Sequence, residues 1–178
     1  MNQVTRILLI GGPGSGKTTL INAIEKLGYT VHHEVSRDIT QKAQEQGIQQ
    51  LFLDDPMAFS NELLQRRIQQ FQEAENSIHF YDRGIPDVPA YHKFTGDPIP
   101  QSYRDACLNH KYDQVFFLPP WKEIYQSDNE RYESYDQAVE IGKILTDYYE
   151  FLGYTVNIVS KLPVEQRLES ILATAGLD

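Results

Sequence analysis

The segment 11-GGPGSGKT-18 limits what this chain can fold into more than any other part of the sequence. It follows an apolar run at residues 4–10 and precedes residues 17–27, in which leucine and isoleucine recur at helical spacing. Glycine permits backbone turns that a side chain would block, so successive N–H groups can face one concavity and bind phosphate oxygens. The sequence therefore predicts a β-strand, a phosphate-binding loop and a helix, in that order.

The loop fits the pattern G-x-x-x-x-G-K-[ST], with Gly11, Gly16, Lys17 and Thr18 at its fixed positions. In this pattern the lysine reaches the β- and γ-phosphates of a nucleoside triphosphate, and the threonine hydroxyl can bind Mg²⁺. The alternative is a glycine-rich turn that matches by chance. The sequence has no N-K-x-D motif for guanine, which favours ATP over GTP. We expect ATP to be bound by Gly12, Pro13, Gly14, Ser15, Gly16, Lys17, Thr18 and Thr19.

Five short apolar runs, at residues 4–10, 29–34, 77–82, 113–118 and 154–159, alternate with helical patterns along the whole chain. This alternation is typical of an α/β protein with a parallel sheet covered by helices on both faces. Ligands of such sheets bind outside the carboxyl ends of the strands. We therefore predict a single domain over residues 1–178 and look for reactive side chains just after each strand.

The segment 32-HHEVSR-37 follows the second predicted strand. Glu34 is a candidate general base for a substrate hydroxyl, because a carboxylate suits that role within hydrogen-bond reach. Arg37 would then bind the acceptor or a phosphate. A Glu–Arg pair that caps a surface helix explains the same residues without any catalytic role.

The segment 78-IHFYDRG-84 places Asp82 at the carboxyl end of the third predicted strand. An acid there can bind Mg²⁺ directly or through water, beside Thr18, and Arg83 can bind the phosphoryl group or the acceptor. The alternative is a salt bridge between the strand end and a neighbouring helix. Tyr91, a little further along the chain, is a candidate for lining the acceptor pocket.

A charge-rich segment at about 119–135 follows the fourth predicted strand and contains Arg131. A mobile lid at this point could bring the arginine to the transferring phosphate and exclude water. A solvated loop is the alternative. Trp121 and Tyr125 fit lid packing and nucleobase stacking equally well.

The composition excludes several classes of partner. A net charge of −9 is unfavourable for binding duplex nucleic acid, which rewards clustered Lys and Arg. No apolar run approaches the roughly 20 residues that span a bilayer, so we expect no membrane contact. The single cysteine, Cys107, leaves no internal disulfide and fits the reducing cytoplasm.

Taken together, the segments GGPGSGKTT, EVSR, FYDRG, FFLPPW with DNER, and GYTVNIV resemble the small AAA-like ATPase/kinase family of P-loop proteins. The pattern is similar to the nicotinamide-riboside kinase domain and more distantly to deoxynucleoside kinases. The resemblance implies a five-stranded parallel sheet of order 2-3-1-4-5, Glu34 as base, Asp82 and Arg83 as the acid–arginine pair, and Arg131 in the lid. Two departures stand out: Gly84 replaces the usual serine, and the lid has one arginine instead of several.

We therefore expect a Mg²⁺-dependent kinase that moves the γ-phosphoryl of ATP to a hydroxyl of a small molecule, a nucleoside or nucleotide. The alternative is a regulatory ATPase or nucleotide-dependent switch with a protein partner, in which Glu34 or Asp82 orients water. A third possibility, nucleotide binding without catalysis, is disfavoured by the intact Lys17, Thr18, Asp82 and Arg83.

Overall fold

A computed structural model of the chain describes residues 4–49, 51–125 and 133–177. Strands and helices alternate along it in the following order: β1 (Thr5–Ile10), α1 (Lys17–Lys26), β2 (Thr30–His32), α2 (Ser36–Glu45), α3 (Leu51–Asp54), α4 (Pro56–Gln72), β3 (Ile78–Asp82), α5 (Asp87–Thr95), α6 (Gln101–Asn109), β4 (Gln114–Phe117), α7 (Tyr135–Phe151), β5 (Val156–Ile158) and α8 (Val164–Ala175).

The five strands form one parallel sheet in the order β2-β3-β1-β4-β5. The predicted order 2-3-1-4-5 is therefore confirmed. The central strand β1 is fully buried from Ile7 to Ile10, because helices cover both faces of the sheet and its side chains alternate between them. One apolar core lies between the sheet and α4 to α7, and a second lies between the sheet and α1 and α8.

The structure differs from the sequence-based boundaries in two places that matter for the site. Strand β2 ends at His32, two residues earlier than predicted, so Glu34 lies in the connection to α2. The sequence of residues 48–55 has no helical periodicity and predicts an irregular segment, but the structure includes the short helix α3 there. Asp55 then caps α4, since its side chain accepts a hydrogen bond of 2.9 Å from the N–H of Ala58.

Parallel pairing brings three connecting segments to one edge of the sheet. Leu9 of β1 lies opposite Asp82 of β3, and His32 of β2 lies opposite Tyr81. The segments that leave β1, β2 and β3 at their carboxyl ends are therefore neighbours. Across the described residues, no helix combines the length and the apolar character that crossing a membrane requires.

Candidate functional site

The glycines of the loop between β1 and α1 are required by both backbone conformation and space. Gly14 and Gly16 have φ values of 72° and 83°, in the left-handed region that residues with a side chain rarely adopt. A Cβ atom on Gly12 would lie 2.8 Å from the carbonyl oxygen of Ala138 in α7. The loop is therefore pressed against its neighbours, with the tight turns by which such a loop forms a phosphate-binding concavity at the start of a helix.

Lys17 occupies that concavity. Its Nζ donates hydrogen bonds to the carbonyl oxygens of Gly11 (2.9 Å) and Gly12 (3.1 Å) and to Oγ of Ser15 (3.3 Å). Burial, followed by the charge of Arg83, lowers the pKa of Lys17 to about 8. The ammonium group thus lies where the oxygens of a triphosphate would compete with the loop carbonyls.

The remaining predicted loop residues differ in exposure. Ser15 is buried and Pro13 is partly buried, whereas Thr18 and Thr19 are exposed on the first turn of α1. The Thr18 side chain is therefore accessible at the positive end of a helix, beside the concavity.

Glu34 is held by four donors in the connection between β2 and α2. Its Oε1 accepts hydrogen bonds from the N–H groups of Val35 (3.0 Å) and Ser36 (3.1 Å) and from Nη2 of Arg67 (3.2 Å). Its Oε2 forms an ion pair with Nε of Arg83. Burial alone would raise the pKa of Glu34, but Arg67 and Arg83, with the Ser36 N–H, lower it to about 2.

Asp82 and Arg83 form a strained turn at the end of β3. Arg83 has a φ of 72°, an unusual value for a residue with a side chain, and its N–H donates to the carbonyl of Leu9 at 3.1 Å. Asp82 is 4% exposed, and its Oδ1 has no hydrogen-bond partner among the described residues. Burial raises the pKa of Asp82, against the opposing effect of Lys17.

The Arg83 side chain contacts Glu34, Tyr91 and Asp87. Besides the Glu34 ion pair, its Nη1 donates to the Tyr91 hydroxyl at 3.1 Å and lies 3.8 Å from Oδ1 of Asp87. Burial raises the pKa of Tyr91. Arg83 therefore forms the salt bridge to a neighbouring helix that the sequence left open, through Asp87 of α5. The same guanidinium group also contacts the predicted base, Glu34, and the hydroxyl of Tyr91.

Sequence reasoning missed Asp87 and Arg67. Asp87 is fully buried in the first turn of α5, and its Oδ2 accepts from the Gly84 N–H (2.9 Å) and the Tyr149 hydroxyl (2.7 Å). Arg67 donates from Nη1 to the Gly84 carbonyl at 3.0 Å, besides its contact with Glu34. Both residues therefore fix the turn that follows Arg83.

A signal for Arg67 was present in the sequence. Leu64, Ile68 and Phe71 mark the apolar stripe of α4, and Arg67 lies on the same stripe at helical spacing. A charged residue on a core-facing stripe has to be paired, since burying an unpaired charge is costly. Its partner could not be identified, because Glu34 is 33 residues away in the chain.

Three further side chains, Arg167, Trp121 and Tyr125, lie at or near the glycine loop. Nη1 of Arg167, in α8, donates to the Ser15 carbonyl at 3.2 Å, and its guanidinium carbon lies 5.6 Å from the centre of the Trp121 ring. Tyr125 packs against Gly14, and its hydroxyl donates to the carbonyl of Glu133. The described parts of the predicted lid thus contact the loop, whereas Arg167 was not predicted.

Arg37 and Arg131 are the two predicted residues that remain. Arg37 is exposed on the first turn of α2. Arg131 is outside the residues that the structure describes, so its assignment as the lid arginine stays a prediction.

Comparison with known proteins agrees with this fold. A family model described as an AAA domain matches residues 6–167. A structure of deoxyadenosine kinase from M. mycoides, with the products dCMP and a flexible dCDP bound, has a TM-score of 0.68 and 17% identity over 97% of this chain and 98% of that chain. The same kinase with bound dATP has a TM-score of 0.65 and 17% identity, over 97% and 99% of the two chains.

A crystal structure of NadR protein in complex with NR has a TM-score of 0.74 and 16% identity, over 98% of this chain but 52% of that chain. The present chain therefore spans about half the length of NadR. No curated protein matches the chain by sequence. At these identities the structural likeness shows a shared fold, which confirms the resemblance to small P-loop kinases.

Proposed function

The chain belongs to the AAA domain family. From this premise and from the geometry of the site, we propose that the protein transfers the γ-phosphoryl group of ATP to a hydroxyl group of a nucleoside or nucleotide. The observation that carries the proposal is the meeting of a phosphate-loop lysine with two acids and an arginine at one sheet edge. Asp82 lies opposite Leu9, near the end of the strand that leads into the loop, and the adjacent Arg83 forms an ion pair with Glu34.

The residues present fit both ATP and Mg²⁺. The loop offers backbone donors and Lys17 for the phosphates. Thr18 offers an exposed hydroxyl, and the orphaned Oδ1 of Asp82 is a buried oxygen that lacks a partner. Among the described residues no group of three or more His, Cys, Asp or Glu could hold a metal, which suits an ion that keeps phosphate oxygens and waters as ligands. When bound, Mg²⁺ neutralises charge that develops on the phosphates.

The roles proposed for Glu34, Arg83 and Tyr91 rest on their contacts, and those proposed for Arg37 and Arg131 rest on the sequence pattern. Glu34 accepts the proton of the acceptor hydroxyl, and Arg83 moves from Glu34 to the phosphoryl oxygens. Tyr91 lines the acceptor pocket beside Arg83, Arg37 contributes a charge at its rim, and Arg131 closes over the γ-phosphate from the lid. Positioning and charge stabilisation supply most of the rate enhancement in this reaction class.

The structural neighbours support a nucleoside-type acceptor. One neighbour is a deoxyadenosine kinase seen with deoxynucleotides, and another is seen in complex with NR. Their names agree with an acceptor that offers a sugar hydroxyl near the γ-phosphate. The present chain differs from the deoxynucleoside-kinase pattern at Gly84, so the preferred acceptor is expected to differ as well.

The test is transfer of label from γ-labelled ATP, with Mg²⁺, to a panel of nucleosides and nucleoside monophosphates. The panel includes deoxyadenosine, deoxycytidine and nicotinamide riboside. Glu34→Gln should lower the transfer rate by about 100-fold or more and leave ATP affinity nearly unchanged in calorimetry. Glu25→Gln, which alters an exposed carboxylate, is the matched control and should behave like the parent.

Two results would count against the proposal. Equal transfer rates in Glu34→Gln and the parent would remove Glu34 as the base. Release of inorganic phosphate without any labelled acceptor, together with ATP-dependent binding of a protein, would instead favour the regulatory ATPase.

A further inference from the structure

The two oxygens of the Glu34 carboxylate have different surroundings. Oε1 receives three hydrogen bonds, from two backbone N–H groups and from Arg67. Oε2 is buried, has no hydrogen bond within the described part of the chain, and faces Arg83 as an ion pair. A carboxylate oxygen that already accepts three donors has little remaining capacity for a substrate proton. Only Oε2 is therefore placed to exchange its partner.

The two arginines that contact Glu34 differ in how firmly they are fixed. Arg67 is 4% exposed and bonds at once to Glu34 and to the Gly84 carbonyl. It thus joins the segment after β2 to the segment after β3 through a planar group whose donors are fixed in direction. The Arg83 side chain is more exposed, at 16%, donates one hydrogen bond, to Tyr91, and otherwise forms ion pairs with Glu34 and Asp87.

We propose that Arg67 is a positioning residue that anchors Oε1 of Glu34, so that Oε2 alone acts as the proton acceptor when Arg83 leaves it. This inference rests on the proposed kinase function. Without the anchor, Glu34 would be free to follow Arg83 and present either oxygen in variable directions. Small errors in the placement of a reacting group are costly, with a 1 Å misplacement worth about 100-fold in rate.

The step that this arrangement serves balances as follows. The acceptor oxygen forms a bond to the γ-phosphorus as the bond between that phosphorus and the bridging oxygen of ADP breaks. The electron pair of the broken bond leaves with ADP. The proton of the acceptor hydroxyl passes to Oε2 of Glu34, while Oε1 keeps its three donors. Arg83 meanwhile accompanies the phosphoryl oxygens, where negative charge is concentrated.

The experiment compares Arg67→Met, Arg67→Lys and Arg66→Met. Arg66 is the adjacent residue of α4, is more exposed, and pairs with Glu62 at 3.0 Å, so Arg66→Met is the matched control. Arg67→Lys keeps a positive charge in the buried site but cannot reach Glu34 and Gly84 with one planar group. It retains the buried charge that Arg67→Met removes, so it is the variant to use if Arg67→Met destabilises the fold, which thermal unfolding of each variant will report.

The first readout is steady-state transfer to the best acceptor in the panel. We expect Arg67→Lys and Arg67→Met to lower kcat by about 100-fold while KM for ATP stays near the parent value. Arg66→Met should leave both constants unchanged. A parent-like kcat in a folded Arg67→Lys or Arg67→Met variant would overturn the inference.

The second readout needs no acceptor and no catalysis. The carboxyl ¹³C signal of Glu34, assigned from its absence in Glu34→Gln, is followed against pH. Loss of the Arg67 cation should make this signal begin to titrate at a pH about one unit higher or more, whereas Arg66→Met should not move it. An unmoved signal in Arg67→Met would overturn the inference. If the parent transfers no phosphoryl group to any acceptor, the kinase proposal fails, and this readout alone decides whether Arg67 anchors Glu34.

Discussion

Replacing Gly84 with alanine should destabilise the fold, although the backbone at this position would accept a side chain. Gly84 does not have a left-handed φ, so conformational strain is not the obstacle. A Cβ atom would instead lie 2.8 Å and 3.0 Å from the two Cδ atoms of Leu8, and 3.1 Å from Cε2 of Tyr112. Leu8 is fully buried and Tyr112 is 4% exposed, so neither side chain can withdraw into solvent.

Extra atoms in a well-packed core cost about 1 to 3 kcal/mol. We expect Gly84→Ala to lower the free energy of unfolding by that amount, which corresponds to about 2 to 4 °C in Tm for each kcal/mol in a protein of this size. Gly84→Ser should cost at least as much, because its hydroxyl adds a buried polar group. This explains in physical terms why the serine of the deoxynucleoside-kinase pattern has no place here.

Urea unfolding of a double-mutant cycle tests the reasoning. Leu8→Ala removes both Cδ atoms and is itself expected to cost about 2 to 5 kcal/mol. In that background Gly84→Ala should cost about 1 kcal/mol less than in the native background, since the contact with Leu8 is gone and the 3.1 Å approach to Tyr112 remains. The steric explanation is refuted if the free energy of unfolding of Gly84→Ala lies within about 0.5 kcal/mol of the parent value in the native background. It is also refuted if Gly84→Ala lowers the free energy of unfolding equally in both backgrounds.

Three further predictions concern charges. Lys17→Met should weaken ATP binding by about 10-fold to 100-fold in calorimetry, because a charge-assisted hydrogen bond to phosphate is lost. Asp82→Asn should raise the Mg²⁺ concentration for half-maximal transfer by about 10-fold or more. His32 forms a hydrogen bond of 3.0 Å with His79. Burial lowers the pKa of His32 to about 4. At these pH values the unfolded chain binds more protons than the folded protein, so Tm should fall as the pH drops from about 6.5 to 4. This fall in Tm should be smaller in His32→Asn than in His33→Asn, the control at an exposed histidine.

The features that could be predicted from the sequence are those determined by residues that lie close together in the chain. The glycine loop is a local motif, and the apolar runs before Glu34 and Asp82 identify strands whose ends carry reactive side chains. Once the strands are parallel, their carboxyl ends have to share one edge. The fold and the approximate location of the candidate site therefore followed from local patterns.

The partners of those side chains did not follow, because they come from distant parts of the chain. Arg167 meets the carbonyl of Ser15 across a separation of 152 residues, and Arg67 meets Glu34 across 33. Helical spacing can show that Arg67 faces the core, but not which carboxylate it reaches. That choice depends on how α4 packs on the sheet, which is a property of the whole core and not of any segment.

The low pKa of Glu34 is compatible with its proposed role as a base, because it follows from the contacts that hold the carboxylate in place. Two arginines stabilise the carboxylate, so it is ionised at every pH at which the protein would work. In a loose transition state the acceptor oxygen forms little bond to phosphorus, so its proton becomes acidic only late. A strong base is then unnecessary, and basicity increases when Arg83 leaves Oε2 for the phosphoryl group. In the proposed reaction, the ion pair between Glu34 and Arg83 would keep both groups charged until ATP binding draws Arg83 to the phosphates.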